Sequence, residues 1–250
     1  MLTWGVNQAM PPLIRTFQSP NSGARLPVDG RLGVRHLVIH YTGMESGPAA
    51  LARLCDAAAE VSANYLIEED GRIFALVDED RRAWHAGRAF WRGTRDINST
   101  SIGIELVNPG HTFGYRPFPR PQVDALIALS RDILARHLIA AQDVVGHSDI
   151  APGRKQDPGE LFPWAVLAQA GIGAWPQAGA APAGSAWHAL ATIGYAVPDA
   201  AGGEMLDPLT GAKDVITAFQ QRFRPSRTDG LLDPETESLI AAVAAHFPSA

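Results

Sequence analysis

The chain has 250 residues, a formal net charge of −5, and 46% hydrophobic against 19% charged residues. That is enough apolar material for one large domain or two smaller ones, and the acidic balance offers no footprint for nucleic acid. No run of about 18 apolar residues is present, so no membrane span is expected, and Cys55, the only cysteine, excludes an intrachain disulfide or a thiolate zinc cluster.

Met1 to Gln8 carry neither a positive n-region nor an apolar h-region, which reads as no signal peptide. Residues 1–33 are rich in Pro, Gly, Ser and Asn and read as an extended surface arm. Arg35 to Thr42 is a short β-branched run stopped by Gly43 and predicts a buried strand ending near His40. A histidine in that place is either structural or functional.

Pro48 to about Ala59 predicts a helix with Pro in its first turn. Val61–Ile67 and Ile73–Val77 predict two strands joined at Asp70-Gly71, a hairpin signal. Trp84-His85-Ala86-Gly87 follows on a loop near Trp91. Ser101–Val107 predicts another strand. Alternation puts Ile102, Ile104 and Leu106 on one face and Gly103 and Glu105 on the other. Glu105 is then a candidate general base held beside a partner or metal, or a carboxylate on a solvated face.

Pro119 to Leu138 predicts the clearest helix, with Val123, Leu126, Ile127, Ile133, Leu134 and Leu138 on one stripe. Val144-Val145 leads into the densest stretch of the chain, Gly146-His147-Ser148-Asp149-Ile150-Ala151-Pro152-Gly153-Arg154-Lys155-Gln156-Asp157-Pro158-Gly159. Its prolines and glycines argue for a shaped loop, and its charged and metal-capable groups argue for a site. His147 and Asp157 are too far apart in sequence for helical ligation and meet only if the loop folds back. A helix from Pro163 to about Ala170 closes this part.

Residues 172–185, dominated by Gly, Ala and Pro, read as a linker. Residues 186–250 read as a small helical unit, with helices over Lys213–Phe223 and after an Asp233 cap followed by Pro234.

Four pieces now stand in order: Val38-Ile39-His40-Tyr41-Thr42, Trp84-His85-Ala86-Gly87, Ser101 to Leu106, and Gly146 to Gly159. Together, over about residues 30–170, they resemble the zinc-dependent N-acetylmuramoyl-L-alanine amidases of type 2, the AmpD and AmiD group. Ala218 to Pro225 with Asp229 to Thr236 resembles a three-helix peptidoglycan-binding module, an arrangement nearer AmiD than the minimal AmpD. The resemblance implies an α/β (α+β) fold with a mixed central sheet flanked by helices, then a small C-terminal three-helix domain. It divides the chain into an arm (1–33), a catalytic domain (34–171), a linker (172–185) and the helical module (186–250).

It also implies a Zn2+ cofactor on His40, His147 and Asp157, with a fourth position open to water. Glu105 maps onto the catalytic acid/base and Lys155 onto the cation that meets the oxyanion. The substrate implied is peptidoglycan fragments or (anhydro)muropeptides, cut between N-acetylmuramic acid and L-alanine. Asn64 stands where many of the family carry His or Tyr; it is expected to position substrate, as are His85 and Asn98. His36, His111, His137, His188 and His246 have no motif behind them. Arg72, Arg88 and Arg95 are all open candidates to pair with a stem carboxylate.

Two other readings stand beside this one: a non-catalytic peptidoglycan recognition protein on the same fold, and a zinc hydrolase of another bond in the stem peptide. The lack of a signal peptide favours the cytoplasm; the module favours the wall, hence the periplasm.

Overall fold

The computed structural model describes residues 10–175, 185–197 and 211–246. The central element is β3 (His36–Tyr41), a strand buried along almost its whole length. Before it come two short strands, β1 (Leu13–Ile14) and β2 (Ser22–Ala24). After it come α1 (Gly47–Leu54), β4 (Tyr65–Ile67), β5 (Ile73–Ala75), β6 (Arg81–Ala83), α2 (Ile97–Thr100) and β7 (Ser101–Leu106). Then follow α3 (Gly110–Phe113), α4 (Arg120–Arg136), β8 (Val144–Gly146), α5 (His147–Ile150) and α6 (Trp164–Gln169). The stretch expected to form the helical module holds α7 (Ala186–Ile193), α8 (Ala212–Phe223) and α9 (Pro234–Ala244).

The main sheet runs β1-β5-β4-β7-β3-β8, mixed as expected: β7, β3 and β8 are parallel, and β4 with β5 forms the antiparallel hairpin. The expected arm is not only a surface wrap. Its β1 extends the sheet edge beside β5, and β2 pairs with β6 in a second small sheet.

Alternation along β3 and β7 sorts the two sheet faces. Leu37, Ile39, Ile102, Ile104 and Leu106 join one fully buried core with Val123, Leu126, Ile127 and Ile133 of α4. At about 25 cal/mol per Å² of apolar area, burial in this layer is a large stabiliser of the part that carries the main sheet. Leu138 does not belong to that stripe. The helix stops at Arg136 because His137 is already extended, so Leu138 falls beyond it at 99% exposure.

The other face, with Val38, carries the site and meets the module. Val38, Val145, Ile150 and Ala151 share one core with Leu190, Ile193, Val215 and Phe219 of the module. The start of the expected linker is anchored too: Ile172 is fully buried in the α4-side core and Trp175 packs against it. The rest of that linker, 176–184, lies outside the described residues. Among the described residues no helix is long and apolar enough to cross a membrane.

Candidate metal centre

Three parallel strands deliver the polar groups to one sheet end. His40 lies opposite Glu105 in the β3–β7 register, and Gly146 of β8 lies opposite Ile39. His147, the first residue after β8, therefore emerges beside His40. Ligand crevices at the carboxyl ends of parallel strands are the rule for open α/β sheets. The loop that follows folds back, and the Ser148 N–H donates to the Asp157 carbonyl at 2.8 Å. That bond returns Asp157 to His147 across the loop.

His40 Nδ1, His147 Nδ1 and Asp157 Oδ2 form a triangle with edges of 2.9, 2.9 and 3.0 Å. The three side chains are buried and could hold a metal ion. The far ring nitrogens show why. His147 Nε2 lies 3.0 Å from the Ala86 carbonyl, which only accepts, so the proton sits on Nε2 and Nδ1 presents a bare lone pair. On the other imidazole the chain is longer. The Ser101 hydroxyl donates to Ile97 O at 2.6 Å, so it accepts from His85 Nε2 at 3.1 Å. His85 Nδ1 is then bare and accepts from His40 Nε2 at 3.0 Å. His40 Nδ1 is left as a second lone pair.

Two imidazole lone pairs and a carboxylate oxygen thus converge with no donor between them. Burial, with His147 next to it, pushes the His40 imidazole down to about 4, so it is neutral near pH 7. A nitrogen–nitrogen–oxygen set of this kind suits a small borderline cation bonded at about 2.0–2.2 Å to each atom.

Glu105 stands next to this triangle. Its Oε2 is sealed from solvent without a hydrogen-bond partner. Burial and the Asp157 charge push its carboxyl well above the ordinary value, with Lys155 opposing. A carboxyl raised above its ordinary value holds a proton more readily than a free one, which suits a group that takes up and returns protons. Glu105, His85, His147, Lys155 and Asp157 all line one cleft of about 380 Å³. The lysine itself is exposed.

Asn64 and Asn98 do not line the cleft. Asn64 is 0% exposed; its carbonyl accepts the Gly103 N–H at 3.0 Å and its amide donates to Val77 O and Asp78 O. It ties β4 to β7 and to the chain after β5, which corrects the expected substrate contact. Asn98 Oδ1 accepts the N–H groups of His85 and Ala86 at 3.1 and 2.8 Å. It holds the loop that positions His85 and presents Ala86 O to His147. His85 does reach the cleft, and there it leans edge-on against the His40 ring. Gly103 makes room for it, since a Cβ there would lie 2.6 Å from the His85 ring.

The residue reading missed Arg154 and Arg53. Arg154 donates to Ala86 O at 2.7 Å and to Arg88 O at 2.6 Å, strapping the His85 loop to the metal loop. Arg53, in the last turn of α1, lines the cleft, whereas Arg72, Arg88 and Arg95 do not. In the sequence, the basic character of Arg53 near the end of α1 is only a weak signal.

The chain is also similar to known proteins. The Amidase_2 family, N-acetylmuramoyl-L-alanine amidase, matches residues 30–160. N-acetylmuramoyl-L-alanine amidase AmiD of Escherichia coli is 42% identical over 236 residues, covering 84% of this chain and 82% of that protein. The structure of E. coli AmiD with anhydro-N-acetylmuramic acid-L-Ala-D-gamma-Glu-L-Lys superposes with a TM-score of 0.76 at 39% identity, over 90% of this chain and 95% of that one. AmpDh3 from Pseudomonas aeruginosa with anhydromuramic pentapeptide gives 0.76 at 37% identity, over 86% and 93%. With the profile over the β3–β8 region and AmiD aligned along most of its own length, the chain belongs to the family of N-acetylmuramoyl-L-alanine amidases.

Proposed function

We propose that this chain hydrolyses the amide between the lactyl group of N-acetylmuramic acid, including its 1,6-anhydro form, and L-alanine of the stem peptide. The ion is zinc, held by His40, His147 and Asp157. Bound there, zinc would supply a Lewis acid that activates water and polarises the scissile carbonyl. Glu105 takes a proton from the attacking water and passes it to the alanine nitrogen as the C–N bond breaks. Lys155 meets the negative charge that develops on the carbonyl oxygen. The products are a lactyl carboxylate and a stem peptide with a free amine. His85 and Asn98 act behind the ligands, one on the His40 ring and the other on the loop that carries His85.

The observation that carries this reading is the triangle of bare donors, edged at 2.9–3.0 Å, opening beside the unpartnered Glu105 oxygen. Its substrate class is supported by the relatives solved with anhydromuramic peptides. Metal analysis and mass spectrometry of digested anhydro-muropeptide test it together. About one zinc per chain and a free alanine amine are expected. Cleavage within the stem would overturn the bond assignment, and a metal-free, inactive protein would favour a recognition role.

A soluble anhydro-muropeptide substrate, of the kind held in the solved relatives' complexes, goes with a cytoplasmic location. Fractionation against compartment markers tests it; recovery with the periplasmic marker would move the reaction to the wall. Wall binding by residues 186–250 is a separate proposal, checked by co-sedimentation of the full chain with purified sacculi.

A further inference from the structure

Behind the metal loop, away from the cleft, lies a second buried polar cluster that the hydrolysis does not use. Asp149 sits two residues after His147 and is 1% exposed. Its Oδ2 accepts the Gly146 N–H at 2.8 Å, closing the short turn of α5 that begins with His147. The same oxygen accepts from Arg222 Nη1 of α8 at 2.7 Å, and Oδ1 accepts from the Tyr195 hydroxyl at 2.5 Å. Tyr195 follows α7, so both outside donors come from the helical module.

Arg222 does more than pair with Asp149. Its Nη2 donates to Val144 O at 3.0 Å, so one guanidinium grips the first residue of β8 and the turn after its last. Its Cζ lies over the Trp164 ring, 4.2 Å from the ring centroid. There is no slack at the strand end either, because a Cβ on Gly146 would come within 2.7 Å of Pro158 and 3.3 Å of Trp164. Pro158 follows the ligand Asp157.

Apolar side chains already join the module to the sheet. A buried ion pair is not needed for adhesion, since well-packed hydrophobic replacements are often as stable or more so. What the charged cluster adds is direction. It sets the orientation of the Val144 carbonyl, the Gly146 N–H and the turn that aims the His147 ring.

We infer that Asp149, Arg222 and Tyr195 are positioning residues of the metal centre, and that the helical module is thereby a structural part of that centre. The inference rests on the zinc reading of the triangle. A partner that orients a metal ligand typically contributes ten- to a hundredfold in metal affinity, so losses of about tenfold are expected from this cluster.

The test uses full-length protein with Tyr195→Phe, which removes one hydroxyl, and Arg222→Met. Asp233→Asn is the control. It weakens the Arg224–Asp233 ion pair inside the module, 2.8 Å in the structure, and touches neither Asp149 nor the cleft. Zinc affinity is read by competition with a chromophoric chelator, coordination by the visible spectrum of the cobalt-loaded protein, and fold by melting of the metal-free protein. Tyr195→Phe and Arg222→Met should bind zinc about tenfold more weakly with altered cobalt bands. Asp233→Asn should lower the melting temperature with zinc affinity and spectrum unchanged. Wild-type affinity and spectrum in Tyr195→Phe, or an equal loss in Asp233→Asn, would overturn the inference while leaving the zinc reading intact. Wild-type protein that binds neither ion would sink both.

Discussion

The loop from His147 to Asp157 carries a buried aspartate near each end, and the two have opposite surroundings. On the module side, Asp149 receives three donors: a backbone N–H, a phenol and a guanidinium that brings a full positive charge. On the cleft side, Asp157 meets two imidazole nitrogens that present lone pairs, with an unpartnered glutamate oxygen nearby. The first cluster is electrically closed. The second is short of a cation. Buried carboxylates are common enough as structural devices; what separates a brace from a site is whether the fold itself supplies the countercharge.

The largest effect expected from that contrast is in the two Asp→Asn exchanges. Asp157→Asn should abolish zinc binding and amide hydrolysis while moving the stability of the metal-free protein by no more than about 1 kcal/mol, since no cation of the fold loses its partner. Asp149→Asn leaves Arg222 buried without a countercharge and should cost about 3–5 kcal/mol of stability. Chemical denaturation of chelator-treated protein, with zinc content measured in parallel, checks both; equal destabilisation would erase the distinction.

Next in size is Glu105→Gln. It should keep one zinc per chain and lower kcat by about 10²–10⁴-fold, because the proton carrier is lost while the donors stay. Product release measured at matched zinc content decides it, and undiminished turnover would remove Glu105 from the chemistry. Lys155→Met should lower kcat by about 10²–10³-fold with the same metal content; an effect confined to KM would make the lysine a binding group instead.

The smallest effect sets a baseline for a buried imidazole with no carboxylate beside it. Burial, with Arg35 nearby, pushes His36 down to about 4. Its folded value lies below its unfolded one near 6.5, so the unfolded chain binds the extra proton between those limits. Stability from this group is complete above about pH 6.5 and falls as pH drops toward 4, by about 2 kcal/mol at pH 5. Urea midpoints of wild type and His36→Gln at pH 7 and pH 5 read the difference. Identical pH slopes would mean that His36 does not titrate as its burial demands.

Much of this was legible in the chain before any coordinates. Period-two alternation over 101–107 separated Glu105 from its apolar neighbours, and the glycine and proline punctuation of 146–159 marked the loop. The four ordered pieces then named the three donors. What stayed hidden depends on partners far along the chain. Asn64 looks like a residue with a free amide until Gly103 N–H, 39 positions later, occupies it. Leu138 fits a helical stripe whose last turn is never made. Asp149 and Asp157 read alike as members of a charged loop; the resemblance picks Asp157 as the ligand, and the fold supplies the reason by delivering Arg222 to one and two imidazoles to the other. The edge strands β1 and β2 are too short for any periodicity to register.

Arg222 and Asp149 lie 73 positions apart, yet one grips the turn that opens the metal loop. Closing a contact of that span demands entropy that only the whole assembled core repays. A chain still leaving the ribosome after its amidase half has been made therefore lacks the clasp on the turn that carries His147, and helices synthesised later complete a loop laid down before them. With Val38 and Phe219 in one core, the two halves should also come apart together, in a single unfolding transition rather than two.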